Sequence, residues 1–193
     1  VAGGSQLVIS PPDATAEQRH RYAAPVRITH RDGAFHISDA RNRGTRWALR
    51  IMKIESANNA PLRINGKTYS GSVWLHPYVD QQGRYNGRFD VVNHLGMEQY
   101  LPGVLERELY GSWHINAFRA QAVAARSYAL YSMHMRKGRH YDLESTTASQ
   151  VYGGVASNPK AAGAVRDTRG QVLVWQGHVL PAFYSSATGG TGQ

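Results

Sequence analysis

The sequence predicts an α+β fold with a β-rich N-terminal half built from hairpins, a central alanine-rich helix and a closing β-hairpin. Short alternating runs between turn residues predict strands from residue 25 to about residue 95. Beyond Gly96 the apolar residues recur about every 3.6 positions, which is the period of an α-helix. At 193 residues with 41% hydrophobic content, the chain is long enough to bury a core.

The first 24 residues predict a loosely ordered lead-in, because Gly3-Gly4 and Pro11-Pro12 are turn signals and the rest is polar. At most a short helix is expected there, around residues 15–20. Residues 25–193 are predicted to form a single domain. It divides into a β-rich lobe at about 25–95 and a helical core at about 96–193.

Two tight hairpins are the clearest local predictions in the first half. Asp32-Gly33 and Asn65-Gly66 each lie between alternating runs, and such pairs favour the two-residue turns of β-hairpins. The predicted strands are 26–29, 34–38, 46–54, 62–64, 67–69, 72–76 and 88–93.

Three helices are predicted in the second half. The first spans 98–109, with Pro102 in its first turns. The second spans 115–136 and buries a stripe of Phe118 and small alanines before Gly138 ends it. The third begins at the cap residue Asn158 and ends before Gly170. A closing hairpin at 171–175 and 179–184 follows.

Composition limits the classes of partner. Lysine and arginine number 22 against 13 aspartate and glutamate, which gives a formal net charge of +9. This favours polyanionic partners such as nucleic acid, anionic lipid or acidic wall polymers. The basic residues are spread along the chain without a lysine-rich tail, so nucleic-acid binding rests on net charge alone.

The absence of cysteine excludes disulfides, thiolate metal sites and a cysteine nucleophile, but leaves the redox compartment open. No apolar run approaches the ~20 residues that span a bilayer. The nine histidines show no metal-ligand spacing, so we predict no metal and no cofactor.

Glu106 and Glu108 are the carboxylates that raise a question of chemistry. Two residues apart on a helix, they point in directions that differ by about 200° and cannot act as a pair on one face. For an arbitrary pair of glutamates, a solvated helix surface is the usual explanation.

Four ordered blocks resemble the SpoIID/LytB family of sporulation and cell-wall proteins. They are "YLPGVLERELYGSWHINAFRAQAVAARSYAL" (100–130), "TTASQVYGG" (146–154), "AAGAVRDTRGQVLVWQG" (161–177) and "AFYSSATGG" (182–190). The resemblance implies a peptidoglycan lytic transglycosylase that cleaves glycan strands lacking stem peptides. It also implies an alternative, since some relatives are described as amidase enhancers: a non-catalytic module that binds the cell wall or stimulates an amidase.

The resemblance implies that Glu108 is the catalytic acid, since it lies five residues after the glycine of "YLPGV", while Glu106 falls on a variable position. Arg119 and Arg126, seven residues apart on one face of the central helix, match basic positions of the family. One is expected to hold a muramic carboxylate and the other to orient Glu108. The other expected substrate contacts are Gln121, Gln150, Tyr152, Tyr184, Ser185 and Ser186.

The implied reaction explains why one carboxyl group would be enough. Glycosidases that use water need two carboxyl groups. In a lytic transglycosylase the 6-hydroxyl of the muramic residue closes onto its own C1, so a tethered nucleophile replaces the second group. Glu108 would give a proton and then take one back. That role needs a carboxyl group that keeps its proton, which burial beside Leu105, Leu109 or Tyr110 would favour.

The chain also departs from the family pattern. Some relatives bind zinc through Cys and His just before "QVYGG", where this chain has Ala148 and Ser149. Leu109-Tyr110 replaces the usual Met-Pro, and the resemblance implies a domain that normally continues beyond the last block. The expected location is exported, in the periplasm or cell wall, with any membrane attachment through a removed N-terminal anchor. The expected partners are denuded glycan strands and a wall amidase, not nucleic acid.

Overall fold

The computed structural model describes residues 1–184 except 3, 5, 49, 83, 147 and 148. It forms two compact units, and the division falls between Leu95 and Gly96. The described residues contain twelve strands and three helices, which confirms the predicted α+β class with a β-rich first half. No helix within the described ranges has the length and apolar character needed to cross a membrane.

The first unit consists of antiparallel strands in several sheets. A five-stranded sheet has the order β10-β9-β6-β1-β2, a three-stranded sheet the order β3-β4-β5, and β7 and β8 form a separate hairpin. The strands are β1 Gln6–Ser10, β2 His20–Ala23, β3 Arg27–Arg31, β4 Ala34–Ser38, β5 Gly44–Ala48, β6 Met52–Ser56, β7 Leu62–Ile64, β8 Lys67–Tyr69, β9 Ser72–Val79 and β10 Tyr85–His94.

The five-stranded and three-stranded sheets share one hydrophobic core, because both bury every second residue in it. Leu7 and Ile9 of β1 are fully buried in this core with Phe35 and Ile37 of β4. Both predicted hairpins are confirmed, and Asn65-Gly66 has the positive φ angles of +47° and +86° that a primed turn needs.

The prediction of a loosely ordered lead-in differs from the structure. Gln6–Ser10 pairs with β2 on one side and β6 on the other, so it is an interior strand. A 3₁₀ turn, Ala16–Gln18, lies within the predicted helical stretch. The strand was missed because its three apolar residues, 7–9, stand next to one another without alternation. Leu7 and Ile9 face the core, and Val8 is covered on the other face.

The prediction of one strand at 46–54 is also wrong. The chain forms β5 and β6 there, and the two strands lie in different sheets. Trp47 of β5 and Met52 of β6 are both buried in the shared core. The apolar pattern therefore continues across the break, which is why the sequence does not reveal it.

The second unit is built on α1 Met97–Glu108, α2 Ile115–Met135 and α3 Pro159–Asp167. Asn158 caps α3 by accepting a hydrogen bond from the Lys160 N–H at 2.9 Å, as the sequence predicts. The buried stripe of α2 includes Phe118 and three alanines, as expected. The closing hairpin is confirmed but short, with β11 Val174–Trp175 and β12 His178–Val179.

Candidate active site

A buried glutamine organises the polar centre of the helical unit. Gln150 is 1% exposed, and its Oε1 accepts a hydrogen bond from the Tyr100 hydroxyl at 3.1 Å. Its Nε2 donates to the Ala125 carbonyl at 3.1 Å and to the Tyr184 hydroxyl at 2.9 Å. The amide therefore uses both N–H groups and accepts a bond on its oxygen, which fixes its orientation.

The Tyr184 hydroxyl accepts a hydrogen bond from Gln150, and it donates to no other described residue. Burial first of all, and then the negative charge of Glu108, raise the pKa of Tyr184 to about 12, against an opposing effect of the Gln150 and Gln121 amides. Gln121 Nε2 nevertheless meets no acceptor at hydrogen-bond geometry among the described residues, so its contact with Tyr184 is weaker than that of Gln150.

Glu108 is the last residue of α1 and is partly buried. Its negative charge raises the pKa of both Tyr184 and Tyr100, so the carboxylate is within electrostatic reach of this tyrosine pair, although no hydrogen bond joins it to either. Of the apolar neighbours expected to bury it, Leu105 is fully buried, whereas Tyr110 is 74% exposed. Glu108 is thus partly buried at the end of α1 and within electrostatic reach of the Tyr184 hydroxyl.

Tyr100 belongs to this site although sequence reasoning did not select it. Burial raises the pKa of Tyr100 far above its usual range, and the neighbouring Tyr184, Tyr152 and Tyr128 and the charge of Glu108 add to the effect. The signal was present: Tyr100 stands eight residues before Glu108, and spacings of four bring residues to one side of a helix.

A missing side chain lets the segment that carries Gln150 approach α1. Gly103 is buried, and a Cβ placed there would lie 2.1 Å from the Gly154 carbonyl oxygen and 2.6 Å from the Tyr152 ring. The Gly153 N–H donates to the Gly103 carbonyl at 3.2 Å across this contact. The Tyr152 ring packs against Tyr100, with ring centroids 5.0 Å apart.

Glu106 has a different task from Glu108. It accepts hydrogen bonds from the Ser157 hydroxyl, the Ser157 N–H and the Asn158 N–H, so it ties α1 to the start of α3. Partial burial raises its pKa, but the hydrogen bonds from Ser157 and Asn158 outweigh this, and the pKa of Glu106 is lowered overall. A carboxyl group held as an anion in this way is unsuited to proton donation.

Arg126 does not occupy the position of the expected substrate contact. It is 2% exposed, and its Nε and Nη2 donate to Glu98 at 3.0 and 2.9 Å. Its remaining N–H groups donate to the carbonyls of Ala122, Gln171 and Val165. All five guanidinium donors are thus used within the helical unit, and the role that follows is structural.

Arg119 is likewise paired away from Glu108. Its guanidinium donates to Asp167 Oδ2 at 3.1 and 2.7 Å and to Asn116 Oδ1 at 3.0 Å. Arg119 and Arg126 do share a face of α2, as their spacing requires, but both contact α3 or its vicinity. Gln121 is about 140° or more away from both arginines around α2, on the side of Tyr184. Neither arginine is hydrogen-bonded to Glu108.

The structure therefore brings together five of the predicted site residues and separates two. Ser185 and Ser186 lie outside the described residues. The gathered set is Glu108, Gln121, Gln150, Tyr152 and Tyr184. Cavities of about 500 and 330 Å³ occur in the first unit, and no predicted site residue lines either of them.

A zinc site like that of some relatives does not fit the donor set. The chain has no cysteine, and Ser149 stands where a ligand would be needed. Within the described ranges, no three His, Cys, Asp or Glu side chains are grouped so as to hold a metal ion.

Comparison with known proteins finds a family match that covers most of the second unit. Residues 85–175 match the family model SpoIID, described as stage II sporulation protein. An uncharacterized protein of Brachyspira hyodysenteriae is 38% identical over 131 residues, which are 66% of this chain and 33% of that protein. The amidase enhancer of Bacillus subtilis is 41% identical over 90 residues, which are 47% of this chain and 12% of that protein.

The chain thus spans a third of the length of one relative and about an eighth of the other. No solved structure matches it. The matched region contains α1, α2, α3 and the segment that carries Gln150, and it includes Glu108. On this sequence match, residues 85–175 of the chain are similar to the SpoIID family of stage II sporulation proteins.

Proposed function

We propose that this protein is a peptidoglycan lytic transglycosylase that acts on glycan strands lacking stem peptides, with Glu108 as general acid and then base. The family and the amidase-enhancer relative support a role connected with the cell wall. The observation that carries the catalytic proposal is a partly buried Glu108 carboxylate whose charge acts on Tyr184, a tyrosine that Gln150 holds by a hydrogen bond to its hydroxyl oxygen.

The proposed step needs one carboxyl group. Glu108 donates its proton to the oxygen that links muramic C1 to the next sugar, and that bond breaks. The muramic O6 then bonds to C1, and its proton passes to the Glu108 carboxylate. The products are a 1,6-anhydro-muramyl end and a free 4-hydroxyl, and no water is consumed. Because O6 is tethered to the reacting ring, its effective concentration at C1 is high.

Tyr184 has a supporting role in this proposal. Gln150 donates to its oxygen, so the hydroxyl proton of Tyr184 points elsewhere. In this proposal that proton is donated to the carboxylate formed once Glu108 has protonated the leaving oxygen. A hydrogen bond to a carboxylate stabilises its charged form. The raised pKa of Tyr184 keeps the hydroxyl protonated at neutral pH, as this role requires.

The setting follows from the substrate. Peptidoglycan lies outside the cytoplasmic membrane, so we propose an exported protein of the cell envelope. Denuded strands arise when an amidase removes the stem peptides, which makes a wall amidase the enzyme that supplies the substrate. The name of the Bacillus subtilis relative, amidase enhancer, agrees with this pairing.

That name also favours a second candidate, a module that binds denuded strands and stimulates an amidase without cutting glycan itself. The two candidates differ in whether Glu108 is needed. Amidase-treated glycan strands incubated with the purified protein are expected to release anhydro-muramyl products, detected by mass spectrometry. Glu108→Gln should reduce their formation by about 10²–10⁴-fold, the usual contribution of a general acid, while strand binding is kept.

Glu106→Gln is the matched control, since it makes the same chemical change two residues away on the same helix. It should keep most of the cleavage activity. Equal product formation by the wild type and Glu108→Gln would contradict the transglycosylase proposal. If neither protein cuts the strands but both bind them and stimulate an amidase, the binding module is the correct function.

A further inference from the structure

The three-stranded sheet of the first unit carries an exposed arginine face that the proposed catalytic step does not use. Arg27 and Arg31 lie on β3, and Arg46 lies on β5. All three are exposed. The positive surface expected from composition is therefore partly concentrated on one sheet.

Strand register places the three arginines on the same side. Thr29 of β3 is opposite His36 of β4, which is opposite Arg46 of β5. Arg27 and Arg31 are two positions before and after Thr29, and alternate residues of a strand share a face. The intervening residues, such as Ile28, point into the core instead.

No acidic group neutralises this face within the described part of the chain. Arg27, Arg31 and Arg46 take part in none of the side-chain hydrogen bonds or ion pairs formed there. The strand positions on this face hold no aspartate or glutamate. Asp32 lies in the turn beyond the end of β3, and Asp39, beyond β4, is already bonded to Arg43. Three guanidinium groups are thus available to an anion.

Their spacing suits a strand with regularly repeated anionic groups. Arg27 and Arg31 are four residues apart, which is about 13 Å along an extended strand. Arg46 lies two strands across, about 10 Å away and between the other two in register. A single small anion cannot reach all three, so the face fits a polymer.

We propose that this arginine face, Arg27, Arg31 and Arg46, binds the carboxylates of a denuded peptidoglycan strand. The inference rests on the proposed substrate. A muramic residue without its stem peptide exposes a free lactyl carboxylate, and a guanidinium group binds a carboxylate through two parallel hydrogen bonds. In a strand with intact stem peptides the lactyl group is held in an amide bond, so this carboxylate is present only on a denuded strand.

Nucleic acid fits the face less well. Proteins that bind single strands stack bases on aromatic side chains within a basic groove. The strand positions on the arginine face hold no Phe, Tyr or Trp. Apart from the arginines, those positions hold only small or polar residues, of which Ala34 is buried and His36 partly buried: Thr29, Ala34, His36, Ser38, Gly44 and Ala48.

The test measures binding of denuded strands by the Glu108→Gln protein, which is expected to leave the strands uncut. The same measurement is made on this protein with Arg27, Arg31 and Arg46 all changed to Gln. Binding should become about tenfold weaker, because three exposed ion pairs are lost. Strands whose carboxyl groups have been reduced to alcohols should bind both proteins equally weakly. Circular dichroism melting checks that the variant is folded.

The matched control changes Arg63, Lys67 and Arg88 to Gln, which removes the same charge from exposed positions on other strands. It should weaken strand binding by less than about twofold, because only the net charge of the protein changes. The proposed role of the arginine face would be overturned if strand binding weakened equally in both triple variants, or if it did not weaken in the variant of Arg27, Arg31 and Arg46. So would a tenfold loss of DNA-duplex binding without a loss of glycan binding. Absence of cleavage by the wild type would refute the catalytic proposal and leave this result unaffected.

Discussion

The two sides of the helical unit use the same kinds of polar residue in opposite ways. Facing α3, Arg126 uses all five of its N–H groups and Glu106 accepts bonds from Ser157 and Asn158. On the other side, Glu108 accepts no hydrogen bond from a described residue, and the Tyr184 hydroxyl has a partner for its oxygen only. Polar groups satisfied by the protein hold the scaffold, whereas those left open to a ligand are candidates for chemistry.

The largest expected effect tests the scaffold side. Arg126→Met should lower the free energy of unfolding by about 3 kcal/mol, because it leaves Glu98 and several carbonyls without their buried donor. Arg119→Met, which breaks a half-exposed pair with Asp167, should cost at most about 1 kcal/mol. Urea denaturation measures both. If both variants lost the same small amount of unfolding free energy, the hydrogen bonds of Arg126 would not hold the scaffold, and Arg126 would be free to bind substrate.

Gly103 tests how closely the Gln150 segment must approach α1. Gly103→Ala should destabilise the protein by about 1–3 kcal/mol, because the methyl group would overlap the Gly154 carbonyl. Gly163→Ala in α3 is the control, since its nearest neighbour is Arg166 Nη2 at 3.8 Å. That change should stabilise the helix by up to about 1 kcal/mol. Thermal melts that shift in the same direction for both variants would contradict the close contact.

Glu106 should make stability depend on pH. Its pKa is lowered in the folded protein, so its contribution is complete above the unfolded pKa of about 4.3 and is lost as the pH falls through the folded value. Glu106→Gln should cost about 1 kcal/mol at pH 7, because it removes a charged acceptor of the Ser157 and Asn158 hydrogen bonds, and progressively less as the pH falls below about 4.3. If the urea midpoints of the wild type and Glu106→Gln did not converge at low pH, the stabilising group would not be the ionised Glu106 carboxylate.

The smallest expected effect tests the side of the helical unit that carries Glu108 and Tyr184. Glu108→Gln should lower the pKa of Tyr184 from about 12, because it removes a negative charge that opposes tyrosinate formation, while burial still keeps the pKa above 10. NMR of ring-labelled tyrosine follows the titration. Glu106→Gln should leave Tyr184 unchanged. An unchanged Tyr184 titration in Glu108→Gln would show that the two side chains are not neighbours.

Much of the fold could be predicted because local patterns decide it. The Asp32-Gly33 and Asn65-Gly66 turns, the Asn158 cap and the alanine stripe of α2 are all found where the sequence places them. The interior strand β1 and the break between β5 and β6 were missed. In both places the pattern lacks a local signal, because pairing with distant strands determines the structure.

For the site, the sequence determined which carboxylate to consider: Glu106 and Glu108, two positions apart on a helix, cannot share a face, and the resemblance to the family motif points to Glu108. Only the tertiary structure decided the roles of the other residues. Arg126 and Gln150 are both buried polar side chains, yet one closes the scaffold and the other orients Tyr184. The physical reason is that a hydrogen-bonding group takes its role from the partners that reach it. For these side chains most of those partners lie 25 to 50 residues away in the chain.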